Sequence, residues 1–134
     1  RGEKLTCLPA LPDCHVVLCK PGFSVSTPEL FRRIDELKLR FHPDTAGVLA
    51  ALEEGDLAGV SRRMFNVFEE ALPAQRRAVV EEIKSTLLSR GALGACMSGT
   101  GPTVFGIFDN AESARSVADE LKQSYAETFL TKNV

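Results

Sequence analysis

The apolar positions of this chain fall into two regimes. Short, nearly continuous apolar runs lie near both ends, and stretches with apolar residues every three or four positions lie between them. The first run, His15-Val16-Val17-Leu18-Cys19-Lys20, stops at Pro21-Gly22 and reads as a buried strand. Ser26-Thr27-Pro28-Glu29 then has the form of a helix start, a hydroxyl cap with proline at the first turn. Leu30, Ile34 and Leu37 share one face of that helix. His42-Pro43-Asp44 interrupts it, and Asp44 is placed to cap a short helix running to Leu52. Gly55-Asp56 opens a further helix in which Leu57, Val60, Met64, Val67, Phe68 and Ala71 keep helical spacing. Pro73 ends it and starts another, with Val79, Val80, Ile83 and Leu87 inward and Gly91 as its stop.

From there the period changes. Residues 92–98 and 103–108 read as two strands joined by a glycine loop. Asn110 caps an amphipathic helix with Ala114, Val117, Ala118 and Leu121 on its buried face, and 129–134 forms a last short strand. The proline-punctuated first 14 residues are expected to run extended along an edge. Strand, helices, strand, strand, helix, strand is the order of an α+β, ferredoxin-like split βαβ fold. It predicts an antiparallel sheet of about four strands with helices on one face and a helical insertion in the first crossover. No repeat, linker or low-complexity segment divides the 134 residues, which suffice for one domain.

The loop between the two middle strands carries the densest chemistry. Met97-Ser98-Gly99-Thr100-Gly101-Pro102-Thr103 sets two glycines one residue apart among hydroxyl side chains. Glycine reaches positive φ and lets another molecule approach the backbone. Hydroxyls and turn N–H groups suit a phosphate or a neighbouring loop. Pro102 has no N–H, so donors are expected from Gly99, Thr100, Gly101 and the side chains of Ser98 and Thr103. A tight turn that contacts nothing is the plain alternative. The loop lacks the lysine of a P-loop, and Val104 stands where a dinucleotide fingerprint needs its third glycine. Cys96 and Thr100 flank Ser98 where a nucleophile elbow needs glycines.

Charge and cysteines narrow the class. A net charge of −2 offers no basic face for nucleic acid, and no apolar run reaches the roughly 18 residues of a membrane span. Cys7, Cys14, Cys19 and Cys96 form no Cys-x-x-Cys pair, so no metal site is expected. Cys19 and Cys96 read as small buried residues of strands. The start, Arg1-Gly2-Glu3-Lys4, has neither an initiator Met nor a signal-peptide core and reads as the middle of a longer protein.

Several segments together carry a resemblance. They are Gly2-Glu3-Lys4-Leu5, Leu11-Pro12-Asp13-Cys14, Lys20-Pro21-Gly22, Ser24-Val25-Ser26-Thr27, His42-Pro43-Asp44-Thr45, Phe65-Asn66-Val67-Phe68-Glu69, Gly94-Ala95 and the 97–108 loop. The chain resembles the C-terminal domain of GHMP-superfamily small-molecule kinases over nearly its whole length. Within that superfamily it is most similar to the bacterial branch that phosphorylates 4-diphosphocytidyl-2-C-methyl-D-erythritol in non-mevalonate isoprenoid biosynthesis. The resemblance implies a cytoplasmic enzyme that moves the ATP γ-phosphoryl group to a substrate hydroxyl with Mg²⁺. It implies that the catalytic aspartate and lysine and the nucleotide loop belong to an N-terminal kinase domain, this chain's partner. Residues 1–134 are then a C-terminal domain with no catalytic residue, inactive alone and binding neither ATP nor Mg²⁺ by itself.

Residue by residue, the resemblance makes Ser98, Gly99, Thr100, Gly101 and Thr103 the phosphate-side loop, and Thr27 and Phe31 the docking site for the cytidine of the substrate. From the residues alone, Thr27 can equally be a helix cap and Phe31 a core side chain. His42 reads as a loop residue, Asn66 and Glu69 as structural hydrogen-bonding groups with Asn66 toward a cleft, and Glu53-Glu54 and Arg62-Arg63 as solvated helix surface. Two other readings stay open: another GHMP kinase of the homoserine, mevalonate or galactokinase type, and a free-standing ferredoxin-like small-molecule-binding domain.

Overall fold

In the computed structural model, residues 14–23, 25–37, 45–64, 66–99 and 101–132 are described. The chain order is β1 (His15–Lys20), α1 (Thr27–Leu37), α2 (Thr45–Glu53), α3 (Leu57–Arg62), α4 (Phe68–Ala71), α5 (Ala74–Ser89), β2 (Gly94–Met97), β3 (Val104–Phe108), α6 (Ala111–Ser124) and β4 (Glu127–Lys132). The sheet runs β2-β3-β1-β4, antiparallel throughout. β1 is internal, with Val17 opposite Gly106 on one side and Leu130 on the other. This is the ferredoxin-like split βαβ, with α1 to α5 filling the first crossover.

An internal strand needs apolar groups on both faces, which is why β1 reads as a continuous run rather than an alternation. Val17 and Cys19 point to the helix side and are fully buried. Val104 and Phe108 of β3 join them, with Val80, Ile83 and Leu87 of α5 and Val117 and Leu121 of α6, in one core. Gly106 admits α5 closely: a methyl there would stand 3.1 Å from the Leu87 side chain. Gly94 and Ile107 face the other way, and there α3 reaches the β2 edge, since a methyl on Gly94 would overlap the Ser61 carbonyl. Thus α5 and α6 cover one face, and the insertion touches the second face at its β2 edge. Among the described residues, no helix is long and apolar enough to cross a membrane.

Local signals account for most boundaries. The Asp56 carboxylate accepts from the Gly59 amide at the start of α3, and the Asn110 side chain accepts from the Ser113 amide at the start of α6. Gly91, at φ +111, follows the C-cap of α5. Two boundaries differ from the sequence expectation. The single helix expected from Leu57 to Ala71 is two, α3 and α4, because Asn66 bonds outside the helix. β4 starts at Glu127 rather than Phe129: Thr128 is buried opposite Cys19, and its hydroxyl donates to the Tyr125 carbonyl at 2.6 Å. Phe129, 58 % exposed, lies on the sheet's other face. The expected edge run before residue 14, His42 and the Asp44 cap lie outside the described residues.

The Gly94 contact is with backbone, so it cannot relax by a side-chain rotation. Gly94→Ala is expected to destabilise the chain by about 2 kcal/mol or more, and Gly106→Ala by less, because Leu87 can shift. Urea titrations of the two variants followed by circular dichroism check the order; equal midpoints would contradict the close approach of α3.

Candidate functional site

The β2–β3 connection is a loop closed by its own backbone. The Ser98 amide donates to the Thr103 carbonyl at 2.7 Å and the Gly101 amide to the Ser98 carbonyl at 2.9 Å. Gly99 sits at φ +56 and Gly101 at φ +82, both in the region that side chains avoid. The two glycines differ in surroundings. A Cβ on Gly99 would meet nothing within 4 Å, whereas one on Gly101 would stand 2.5 Å from the Met97 sulfur. Gly99 therefore turns its bare backbone to open space, and Gly101 packs on the core. The sequence reading counted the Gly101 amide among outward donors; it is already used inside the loop. Among the described residues, nothing accepts from the Gly99 amide. Ser98 is exposed and Thr103 half-buried, and the side chain of Thr100 lies outside the described residues.

Beside the loop, a cleft of about 440 Å³ separates Gly101 and Pro102 from the Lys20-Pro21-Gly22 turn that ends β1. Phe23 forms one wall, with the Arg76 guanidinium 5.5 Å above its ring. Lys20 and Glu127 stand at its rim, 3.9 Å apart. The loop and the end of β1 thus meet because β1 and β3 are neighbours whose antiparallel pairing brings Cys19 opposite Val104, while Thr27 and Phe31 do not line this cleft.

The helical insertion grips the base of the loop. Asn66, in the break between α3 and α4, donates through Nδ2 to the carbonyls of Met97 at 2.6 Å and Gly99 at 2.7 Å. Its Oδ1 accepts from the Phe68 amide at 2.9 Å. Glu69 accepts from the Met97 amide at 2.7 Å through Oε2 and from Lys84 Nζ at 2.6 Å through Oε1. Burial by itself works against the Lys84 ammonium, but the hydrogen bond and charge of Glu69 outweigh it, and its pKa lies above the ordinary lysine value. Burial, reinforced by the Glu69 carboxylate, pushes the Cys96 thiol up to about 12. It stays protonated near neutrality and is no nucleophile.

On the other side of the insertion, Thr27 opens α1 and is exposed. Phe31 is 55 % exposed, while its neighbour Leu30 is buried. Phe31 is therefore not a core residue. Its ring meets that of Phe68 edge-on, with centroids 5.1 Å apart and planes at 85°. Arg33 Nε donates to the Ala71 carbonyl and ties α1 to α4. Phe68 and Lys84 were not singled out as site residues from sequence. Phe68 carried an ordinary apolar signal, and Lys84 lies 15 residues from Glu69, a spacing with no local signature. Among the described residues, no group of three His, Cys, Asp or Glu side chains could hold a metal ion.

Residues 48–127 match the family model described as GHMP kinases C terminal. The chain belongs to the GHMP kinases. Its curated relatives include the 4-diphosphocytidyl-2-C-methyl-D-erythritol kinase of Clostridium novyi strain NT, 38 % identical over 133 residues, which are 99 % of this chain and 47 % of the relative. The Lachnospira eligens protein of the same name is 40 % identical over 122 residues, 91 % of this chain and 42 % of its own. Among solved structures, a 4-(cytidine 5'-diphospho)-2C-methyl-D-erythritol kinase superposes with a TM-score of 0.70 at 26 % identity, over 92 % of this chain and 44 % of that one. A homoserine kinase from Cytophaga hutchinsonii shares the fold, with a TM-score of 0.69 at 19 % identity over 95 % and 43 % of the two chains. The chain spans about half the length of the curated relatives it matches.

The two loop glycines are expected to respond differently to a methyl group. Gly99→Ala pays only the left-handed backbone strain, about 1–2 kcal/mol. Gly101→Ala adds displacement of the buried Met97 side chain and is expected to cost roughly 1–3 kcal/mol more. Chemical denaturation of both variants measures the gap; a Gly99 variant as unstable as the Gly101 variant would contradict the open side of the loop.

Proposed function

We propose that this chain is the C-terminal, substrate-side domain of an ATP-dependent kinase. It acts on 4-diphosphocytidyl-2-C-methyl-D-erythritol, in cytoplasmic isoprenoid biosynthesis. The observation that carries the reading is Phe31, an aromatic ring held open to solvent on the helix after β1 and braced edge-on by Phe68. The protein named as that kinase in Clostridium novyi, 38 % identical, supports it. A cytosine can stack on such a ring, worth roughly 1–3 kcal/mol by analogy with other base–aromatic pairs. Thr27, one helical turn earlier on the same face, lies beside it for a polar contact.

The glycine loop takes the phosphate side. Phosphoryl transfer needs its donor and acceptor held in line and its developing charge met by fixed dipoles. Ser98, Gly99, Thr100 and Thr103 supply hydroxyls and backbone N–H groups, and Gly101 supplies the shape. The base, the nucleotide loop and the second wall of the cleft come from an N-terminal domain. ATP brings the transferred group and travels with Mg²⁺; the described residues of this chain offer that ion no cage. The 134-residue chain alone is accordingly expected to give no ADP above a no-protein control in a coupled assay with the cytidyl substrate, and clear turnover would overturn the two-domain reading.

Phe31→Ala in the full-length protein is the direct test. Lost stacking removes binding common to ground and transition states, so KM for the cytidyl substrate is expected to rise roughly 5- to 150-fold with KM for ATP nearly unchanged. Because the ring is half in solvent, the melting temperature is expected to fall by only a few degrees. An unchanged cytidyl KM would remove Phe31 from the substrate site.

A further inference from the structure

We propose that Asn66 is a positioning residue that sets the backbone of the glycine loop from the helical insertion. The proposal rests on the reading of that loop as the phosphate-side element. Three hydrogen bonds carry it. One amide side chain donates to Met97 and Gly99 on the loop and accepts from Phe68, whose ring braces Phe31.

The chemistry fits only an amide. Two carbonyl oxygens two residues apart converge on one –NH₂ group, which has two protons to give, and the remaining oxygen takes the Phe68 N–H. Aspartate has nearly the same shape and keeps the acceptor, but it would face both carbonyls with a carboxylate. The positions of those carbonyls matter because each shares its peptide plane with the next N–H. Fixing the Met97 carbonyl orients the Ser98 amide, which closes the loop on Thr103 at 2.7 Å. Glu69 holds the Met97 amide from the same insertion, so Met97 is fixed at both backbone groups and Gly99 hangs from the Asn66 side chain. A stability role alone would not require the bond to Gly99, which is exposed and could bond to water instead.

The test is kinetic and uses the full-length protein with Asn66→Ala and Asn66→Asp. Alanine deletes the two donors and the acceptor for the Phe68 amide; aspartate keeps the acceptor and replaces the donors with repulsion. A misplacement of about 1 Å at a reacting group can cost about 100-fold, so kcat at saturating substrates is expected to fall about 10-fold for Asn66→Ala and about 100-fold for Asn66→Asp. KM for the cytidyl substrate is expected to stay within about threefold, because the Phe31 face is retained. Assays run below both melting temperatures separate this from unfolding. If kcat for both variants stays within twofold of wild type, Asn66 is structural only and the proposal is overturned, whatever the melting temperatures do. If wild-type protein does not phosphorylate the cytidyl substrate, the functional reading fails separately. Hydrogen exchange of the 98–103 segment then decides the latch. Faster exchange at Ser98 and Gly101 in Asn66→Ala than in wild type supports it, and equal exchange overturns it.

Discussion

The polar groups of Met97 are the constraint on which the rest of the site depends. β2 is an edge strand, paired on one side to β3. Edge strands leave backbone N–H and C=O groups without a strand to bond them, and buried groups of that kind are costly when unpaired. Here the helical insertion takes both: Glu69 accepts from the Met97 amide and Asn66 donates to its carbonyl. The insertion thus does for β2 what a fifth strand would do, with side chains in place of a backbone ladder. Because the glycine loop begins at the next residue, the solution to an edge problem is also the anchor of the site.

The same constraint explains where sequence reasoning ran out. β1, α5 and α6 were legible because their signals are local: a continuous apolar run, a 3.6-residue period, Asn110 at a helix start. The glycine loop was legible as a loop because two glycines and a proline interrupt the apolar runs on either side of it. The break between α3 and α4 was not. Met64, Val67 and Phe68 keep helical spacing through it, and the break is set by Asn66 bonding to residues 31 and 33 positions away. Nothing in a local window weighs that against the lost helical bonds. The start of β4 was hidden for a similar reason, since only the sheet reveals that Thr128 is buried against Cys19 and Phe129 is not. Which loop amide points outward was likewise invisible until the Gly101 amide was found bonded to Ser98.

The Glu69–Lys84 pair shows how polarity is distributed below the loop. The Glu69 side chain is 7 % exposed and that of Lys84 21 %, so both charges lose much of their water. Buried pairs of this kind seldom add net stability over an apolar substitute of equal volume, yet losing one partner leaves an unmet charge. An apolar pair here would remove the acceptor for Met97 as well as the charge. The carboxylate is needed at Met97, and Lys84 is what allows a carboxylate to stay there. Cys96, beside it, is kept as a neutral thiol by burial and by the carboxylate, so the network carries no nucleophile.

Among the described residues, no group of three His, Cys, Asp or Glu side chains could hold a metal ion, and burial and the Glu69 carboxylate keep the Cys96 thiol protonated. What the 66–69 stretch provides is placement: a backbone turn fixed from below by two side chains, and an exposed ring met at right angles by a second ring. Both run through one four-residue stretch, since Asn66, Phe68 and Glu69 contact Gly99, Phe31 and Met97 respectively. An edge-to-face pair covers less of the two rings than a stacked pair would, in keeping with the exposure of Phe31. The turn uses its Ser98 and Gly101 amides on its own carbonyls and leaves the Gly99 amide without an acceptor among the described residues.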